Sequence, residues 1–366
     1  HELAEEIAAR LKAKHGLDRS QVVINSSHTH SGPVVWPNLK SMYFLGPEDR
    51  DRLIQYSKEL TDDIVHAVDV AIADRAPAQV SVGHGSVGFA ANRREPTPKG
   101  MRLGVNQNGP MDHDVPVLTV AAPNGKLRAV LFAYACHNTT LGGDCYRING
   151  DYAGFAQIEL EKALPGATAM FAILCGGDQN PQPRGTVELA REHGKALADE
   201  VRRVLGGPLR PVRGPIQTAY EVTELVFAPH ERATFEKEAA GADKFKQSRA
   251  KLMLAAYDAG RPVRALPYPV QAFRFGNDLT CLALAGEVTV EYGLRLKREL
   301  PRENLVVMGY ANEVPCYIPS RAVLQGGGYE PVESMIYYGQ PGPFAETVEE
   351  TVIAAGHRVL KQTGVK

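Results

Sequence analysis

The sequence predicts an α/β fold, a mixed β-sheet sandwich flanked by helices. Two observations predict it. Strand-sized apolar runs recur along the 366 residues, and segments with helical periodicity lie between several of them. A third fixes the kind of sheet: two adjacent runs, 115–120 and 127–136, are separated only by a Pro123-Asn124-Gly125 turn. A turn that short joins antiparallel neighbours, so the sheet is mixed rather than purely parallel.

The elements follow in order. Leu3, Ile7 and Leu11 recur at i, i+4 and i+8, so residues 2–15 read as an amphipathic helix closed by Gly16. Residues 21–27 read as a short buried strand. A long helix follows Pro47 and runs to about Asp74, with Leu53, Leu60, Ile64 and Val68 on its apolar side. Strand-like runs then occupy 79–82, 115–120, 127–136, 167–175, 216–226, 270–275, 279–285 and 305–309. Helical patterns cover 151–164, opened by an Asp cap, and 186–205, 229–259 and 347–362. There is no internal repeat and no clear linker, so residues 1–366 read as a single domain, long for one core but within the range of large α/β enzymes.

Composition removes several classes of function. A net charge of −1 leaves no electrostatic footprint for nucleic acid or an anionic membrane. No apolar run reaches the roughly 18–20 residues of a membrane helix. The five cysteines are odd in number and form no C-x-x-C pair, which argues against a disulfide framework and a Cys-rich zinc knuckle. The expected partner is a small-molecule substrate, and a homo-oligomer is compatible with the sequence. The chain begins at His1 and shows no signal peptide.

Common catalytic templates fail. Gly83-His84-Gly85-Ser86-Val87-Gly88 matches G-x-G-x-x-G, but Asn92, Pro96 and Pro98 follow instead of the helix a pyrophosphate needs. No G-x-S-x-G elbow, H-E-x-x-H helix or Walker loop is present.

What remains is a set of polar side chains just past apolar strands. His28 and His30 lie two apart after the run ending at Ser27, on one face if the strand continues. His137 follows 129–136, Asp178 follows 167–175 through two glycines, and Glu287 follows 279–285 through Gly286. Tyr317 lies beyond 305–309. Sites in open α/β sheets assemble at such ends. Two histidines and a carboxylate are a standard catalytic zinc set, leaving a position for water whose pKa the metal lowers to about 7. The other histidine is then free to move protons. Each residue also has a structural reading: Glu287 as a helix cap, His137 as a core histidine. Cys136, Cys175 and Cys316 sit near these residues; Cys136 is expected to point into packing, and Cys316 is an alternative ligand to Tyr317.

The ordered blocks Ser27-His28-Thr29-His30-Ser31-Gly32-Pro33, Asn92-Arg93-Arg94, His137-Asn138-Thr139-Thr140, Gly150-Asp151, Gly177-Asp178-Gln179-Asn180-Pro181, Gly286-Glu287, Tyr317 and Tyr329-Glu330 resemble the neutral/alkaline non-lysosomal ceramidases. The likeness spans about residues 20–340. It implies a zinc amidase with a mixed α/β catalytic domain and a secreted or periplasmic setting. By position it implies His28, His137, Glu287 and Tyr317 as Zn²⁺ ligands. It implies His30 and Arg93 as groups contacting the scissile carbonyl, and Tyr329 as a pocket residue.

Departures from the pattern matter. The family's active-site serine in the segment containing Asp178 is Asn180 here. An amide cannot act as an acyl-accepting nucleophile, so the attacker expected is a zinc-activated water with Asn180 as a hydrogen-bond partner. Val34-Val35 replaces a Gly-Gly pair, only 27 residues precede His28, and no C-terminal β-sandwich is expected. Asp178 is counted with the catalytic group, and Arg94 and Arg184 with the substrate-binding group. The resulting expectation is a zinc-dependent hydrolase cleaving an amide (N-acyl) or related bond. Its alternatives are a zinc enzyme acting on a glycoside or other polar non-lipid substrate, and an inactive binding homologue.

Overall fold

The apolar runs are continuous because both faces of their strands are buried. In the computed structural model, which describes residues 1–300 and 304–365, helix α1 (Glu2–His15) and helix α2 (Pro47–Ala73) lead into strands β1 (Gln79–Ser86), β2 (Ala90–Thr97), β3 (Gly100–Asn106), β4 (Asp114–Ala121) and β5 (Leu127–Tyr134). Next come α3 (Asp151–Ala163), β6 (Thr168–Ile173), β7 (Gln179–Pro181), α4 (Val187–Leu205), β8 (Arg210–Val212) and β9 (Ile216–Val226). Helices α5 (Arg232–Ala239) and α6 (Lys244–Asp258) precede β10 (Ala265–Phe275), β11 (Leu279–Leu284), β12 (Glu287–Val288), α7 (Val290–Glu299), β13 (Leu305–Met308) and β14 (Tyr317–Ile318). Helix α8 (Arg321–Gly326), a π-turn at Tyr329–Glu333, α9 (Ser334–Tyr337) and α10 (Val348–Gln362) close the chain.

Two mixed sheets stack face to face. The first has the order β6-β5-β4-β1-β8 and the second β13-β11-β10-β9. Only β5/β6 in the first and β11/β13 in the second are parallel. The expected hairpin is there: β4 and β5 pair antiparallel, with Val117 opposite Phe132. In β5, Val130, Phe132 and Tyr134 pack under α3 and α4, whereas Ala133 faces the other sheet. In β11, Leu282 and Leu284 pack under α7 and α10, whereas Leu279 and Ala283 face inward. Strict alternation with apolar residues on both faces gives four layers: helices, sheet, sheet, helices. The predicted sandwich flanked by helices is the fold observed. No helix among the described residues is long and apolar enough to cross a membrane.

Several local expectations are corrected. Residues 21–27 do not form a strand. Arg19–Gln21 is a 3₁₀ turn, and only Asn25 makes a bridge, to Ala311. The Asn25 side chain takes the place of a ladder: its Oδ1 accepts from Ile173 N at 2.9 Å and its Nδ2 donates to Gly309 O at 2.7 Å. One polar side chain thus staples the ends of both sheets. The 229–259 helix is two helices, broken at Gly241 and restarted by Asp243, which caps Phe245 N at 2.9 Å. Asp151 is the first helical residue of α3 rather than its cap; Gly150 holds that place. The hairpin β2/β3 escaped the sequence reading, because Arg93, Arg94, Pro96 and Pro98 hide the strand pattern.

Candidate metal centre

The backbone brings four distant segments together. His28 has φ of 57°, in the left-handed region that a side chain with a Cβ adopts only when its surroundings impose it. The strand therefore does not continue through His28-Thr29-His30. The two imidazoles converge through this kink rather than through period-two spacing. The segment is tied to the one that follows β5. Thr29 bridges Asn138, His30 N donates to Asn138 O at 3.4 Å, and Thr29 Oγ1 donates to Asn149 O at 2.7 Å.

Gly176 and Gly177 carry the chain from β6 to Asp178 between these segments. A Cβ on Gly176 would lie 2.7 Å from Cys136 N, and one on Gly177 would lie 2.5 Å from Glu287 O. Gly177→Ala is expected to displace the Glu287 backbone and to destabilise the protein by about 1–3 kcal/mol, the usual cost of overpacking a closed site. Chemical denaturation of the variant against the parent measures it. An unchanged midpoint would show that the β12 segment yields freely.

Glu287 and Tyr317 are register partners in the parallel pair β12/β14. They share a face, and alternation turns Cys316 to the other side, where it joins the core of the second sheet. That removes Cys316 as an alternative ligand. Cys136 also packs into a core, as expected.

His28 Nε2 lies 3.1 Å and His137 Nε2 2.9 Å from the same oxygen, Glu287 Oε2. Tyr317 Oη is 3.3 Å from His137 Nε2, and His30 Nε2 is 3.1 Å from His28 Nε2. His28, His30 and His137 place one ring nitrogen each within 4.8 Å of one another. The other nitrogen of His137 is fixed: Nδ1 lies 2.8 Å from Gly176 O, an acceptor only, so Nδ1 carries the proton and Nε2 offers its lone pair. The second oxygen of Glu287 accepts from Tyr338 Oη, and Tyr310 Oη donates towards Oε2 at 3.4 Å. Tyr338 and Tyr310 were not found from the sequence, since neither lies in a pattern that marks it.

Electrostatics suit a metal. Burial alone would raise the pKa of Glu287, but the neighbouring His28 and His137 hold its carboxylate well below the usual range. Burial, reinforced by Arg93, lowers His137 to about 4. Desolvation of its ring, then the neighbouring His28 and His137, lowers His30 to about 3. Both imidazoles are therefore neutral at neutral pH, the form that ligates a cation or accepts a proton. Burial raises the Tyr317 phenol well above its ordinary value. As a ligand it would have to lose that proton to the cation.

Arg93 lies beside this cluster. Its Nη2 donates to Tyr317 Oη at 2.9 Å and its Nη1 lies 3.3 Å from His137 Nε2. Nη1 also donates to Asn180 Oδ1 at 3.3 Å, and Thr139 Oγ1 donates to the same oxygen at 3.3 Å. Strand pairing sets this up, because β2 lies antiparallel to β7 with Ala91 opposite Asn180. Arg93 also lies over the rings of Tyr317 and Tyr329, 5.3 and 5.7 Å from their centroids. Burial pushes the Tyr329 phenol up to about 12.

Two expected roles change, those of Asp178 and Arg94. Asp178 does not present its carboxyl to the cluster. Its Oδ1 accepts from Val290 N at the start of α7 at 2.7 Å, and its Oδ2 accepts from Asn92 Nδ2 at 3.0 Å. Its main-chain oxygen accepts from Arg93 N at 2.8 Å, so Asp178 positions the strand rather than the chemistry. Arg94 is buried and occupied: it donates to Glu330 Oε2, to Gly327 O at 2.8 Å and to Val323 O at 3.3 Å. Both of its Nη groups are turned to protein acceptors rather than to the cluster. Arg184 is exposed beyond β7, and partial desolvation followed by the charge of Arg93 lowers its pKa. A cavity of about 680 Å³ adjoins the cluster on the side of His28 and Tyr338, with Trp36, Leu39 and Leu252 in its wall.

Fold and site together define a class: an α/β sandwich that gathers imidazole, carboxylate and phenol groups past its strand ends. Within that class, the sequence model described as "Neutral/alkaline non-lysosomal ceramidase, N-terminal" matches residues 1–192, more than half of the chain, and the chain belongs to this family. The neutral ceramidase of Mycobacterium tuberculosis is 25% identical over 400 aligned positions, covering 86% of this chain and 60% of that protein. The neutral ceramidase of Pseudomonas aeruginosa is 25% identical over 190 positions, covering 48% of this chain and 27% of the relative. The crystal structure of the P. aeruginosa neutral ceramidase superposes with a TM-score of 0.70 at 19% identity, over 98% of this chain and 64% of that one. A structure described as ceramidase complexed with C2 gives a TM-score of 0.72, also at 19% identity, over 98% of this chain and 66% of that one. The chain thus spans about 60% of the length of the M. tuberculosis relative.

Proposed function

We propose that residues 1–366 form one catalytic unit, a zinc-dependent hydrolase that cleaves an amide (N-acyl) bond of a small molecule. The observation that carries this reading is the convergence of His28 Nε2 and His137 Nε2 on Glu287 Oε2, with Arg93 alongside. Two imidazoles, a carboxylate and a nearby phenol are a donor set that suits zinc in charge and softness. His28, His137, Glu287 and Tyr317 would hold the ion. When bound there, zinc supplies Lewis acidity and activates water near neutral pH.

The chain's own groups supply the rest. Arg93, buried and permanently charged, faces the developing negative charge on the carbonyl oxygen. His30 is neutral and lies beside His28, so it accepts a proton from the attacking water and returns it to the leaving amine. Asn180 orients by its partners. Arg93 can only donate, so the oxygen of the amide meets Arg93 and the NH₂ end is left to donate to substrate. Tyr329 flanks Arg93, its ring centroid 5.7 Å from the guanidinium carbon.

The relatives named neutral ceramidase make ceramide the first N-acyl amide to assay. Exposed Arg184, four residues past Asn180, makes smaller, polar N-acyl compounds the next to assay. The test is turnover across N-acyl amides, esters and glycosides, with chelator and with zinc restored. Amide hydrolysis lost on chelation and regained with zinc is the expected result. Turnover confined to glycosides would remove the amidase reading, and full activity in chelator would remove the metal.

A further inference from the structure

We propose that Glu330 is a positioning residue for Arg93, with Arg94 as the charge that holds Glu330 in place. The proposal rests on the reading of Arg93 as the carbonyl-facing cation. Glu330 is 1% exposed, and Arg93 and Arg94 are 5% and 6% exposed, so the three charges are sealed from water. Each carboxylate oxygen serves one arginine. Arg93 Nε donates to Oε1 at 2.9 Å, and Arg94 Nη1 donates to Oε2.

The two arginines have different work. Arg94 gives its Nη2 to the main-chain oxygens of Val323, within α8, and Gly327, just past it on the way to Glu330. Arg93 spends its remaining donors on Asn180, His137 and Tyr317, all at the site. Glu330 therefore grips Arg93 by Nε alone and leaves both Nη groups directed at the cluster. The charges also balance usefully: one carboxylate against two guanidinium groups leaves one net positive charge, at the end that meets substrate.

Local structure holds Glu330 close. It sits in the π-turn Tyr329–Glu333, reached through Gly327 and Gly328, both with positive φ. A Cβ on Gly328 would lie 3.0 Å from Met101 Cβ on β3. Only glycine lets the turn approach the hairpin that carries Arg93 so closely. The π-turn, a form that recurs at functional sites, also presents Tyr329 to the same guanidinium. Truncating Glu330 would leave two buried arginines with no counter-charge between them.

A double-mutant cycle tests the link. Arg93→Gln, Glu330→Gln and the double variant are assayed on the best N-acyl substrate, with zinc content and secondary structure measured on each. Each single variant is expected to lower kcat by about 10²-fold, the scale of a misplaced catalytic group, with KM within about threefold and zinc retained. The double variant should match Arg93→Gln, because Glu330 acts through Arg93. If Arg93→Gln lowers kcat while Glu330→Gln does not, or if the two losses multiply, Glu330 does not position Arg93. If Arg93→Gln keeps full kcat, the carbonyl-facing role of Arg93 fails, and the positioning role with it. Should Glu330→Gln not fold, Arg94→Lys enters the same cycle. It keeps the charge but cannot reach Glu330 and both carbonyls at once, so the same non-multiplying loss is expected and a multiplying one refutes the proposal.

Discussion

His137→Ala is expected to lose tightly bound zinc and to lower amide turnover by at least about 10³-fold, the scale of several kcal/mol of lost metal catalysis. His137 is fully buried, with one nitrogen committed to Gly176 O and the other aimed at Glu287 Oε2. No other described histidine is placed to take over that nitrogen, since His30 meets the cluster through His28, Nε2 to Nε2 at 3.1 Å. The substitution also leaves Arg93 Nη1 short of an acceptor. A fall in stability is therefore expected beside the loss of zinc. His28→Ala separates the two effects, because His28 is half-buried and its removal opens less of the core. Metal analysis of both proteins after dialysis decides the matter: tight zinc retained in both would overturn the ligand assignment.

Asn180→Asp is expected to lower kcat by about 10²–10³-fold with a smaller change in KM. The carboxylate is nearly the same shape and would still accept from Arg93 and Thr139. It would have no NH₂ to give the carbonyl oxygen, and its negative charge would oppose the charge that develops there. Asn180→Ser provides the contrast, because a hydroxyl donates as well as accepts. The serine variant is expected to keep far more activity than the aspartate variant. Equal, small losses in both would mean that Asn180 does not touch the reacting atoms.

The convergence of these side chains was legible in the sequence where polar residues follow strand ends. His28, His137, Glu287 and Tyr317 each follow a buried segment, and the fold brings all four within contact of one another or of a shared neighbour. The sandwich was legible for the same reason, since strands buried on both faces leave uninterrupted apolar runs. What stayed hidden depended on partners remote in sequence. Arg94 looks like a ligand-binding cation until Glu330, Val323 and Gly327 are seen to occupy it. Asp178 looks catalytic until Asn92 and Val290 are seen to take its two oxygens. Tyr338 supports Glu287 from a segment with no periodic signal, and the His28 kink is invisible because no glycine announces it.

His137 extends from the first sheet, Glu287 from the second, and Asn25 stitches the ends of both. A cation seated between them would act as a keystone across the two halves of the molecule. Neither half alone presents the full donor set, so an ion that prefers the assembled set stabilises the assembly by RT ln(1 + [L]/Kd). If zinc binds there, sheet docking and metal capture would be linked: the ion would add to the apolar core already holding the two sheets together, and a chain caught half-assembled would hold it only loosely.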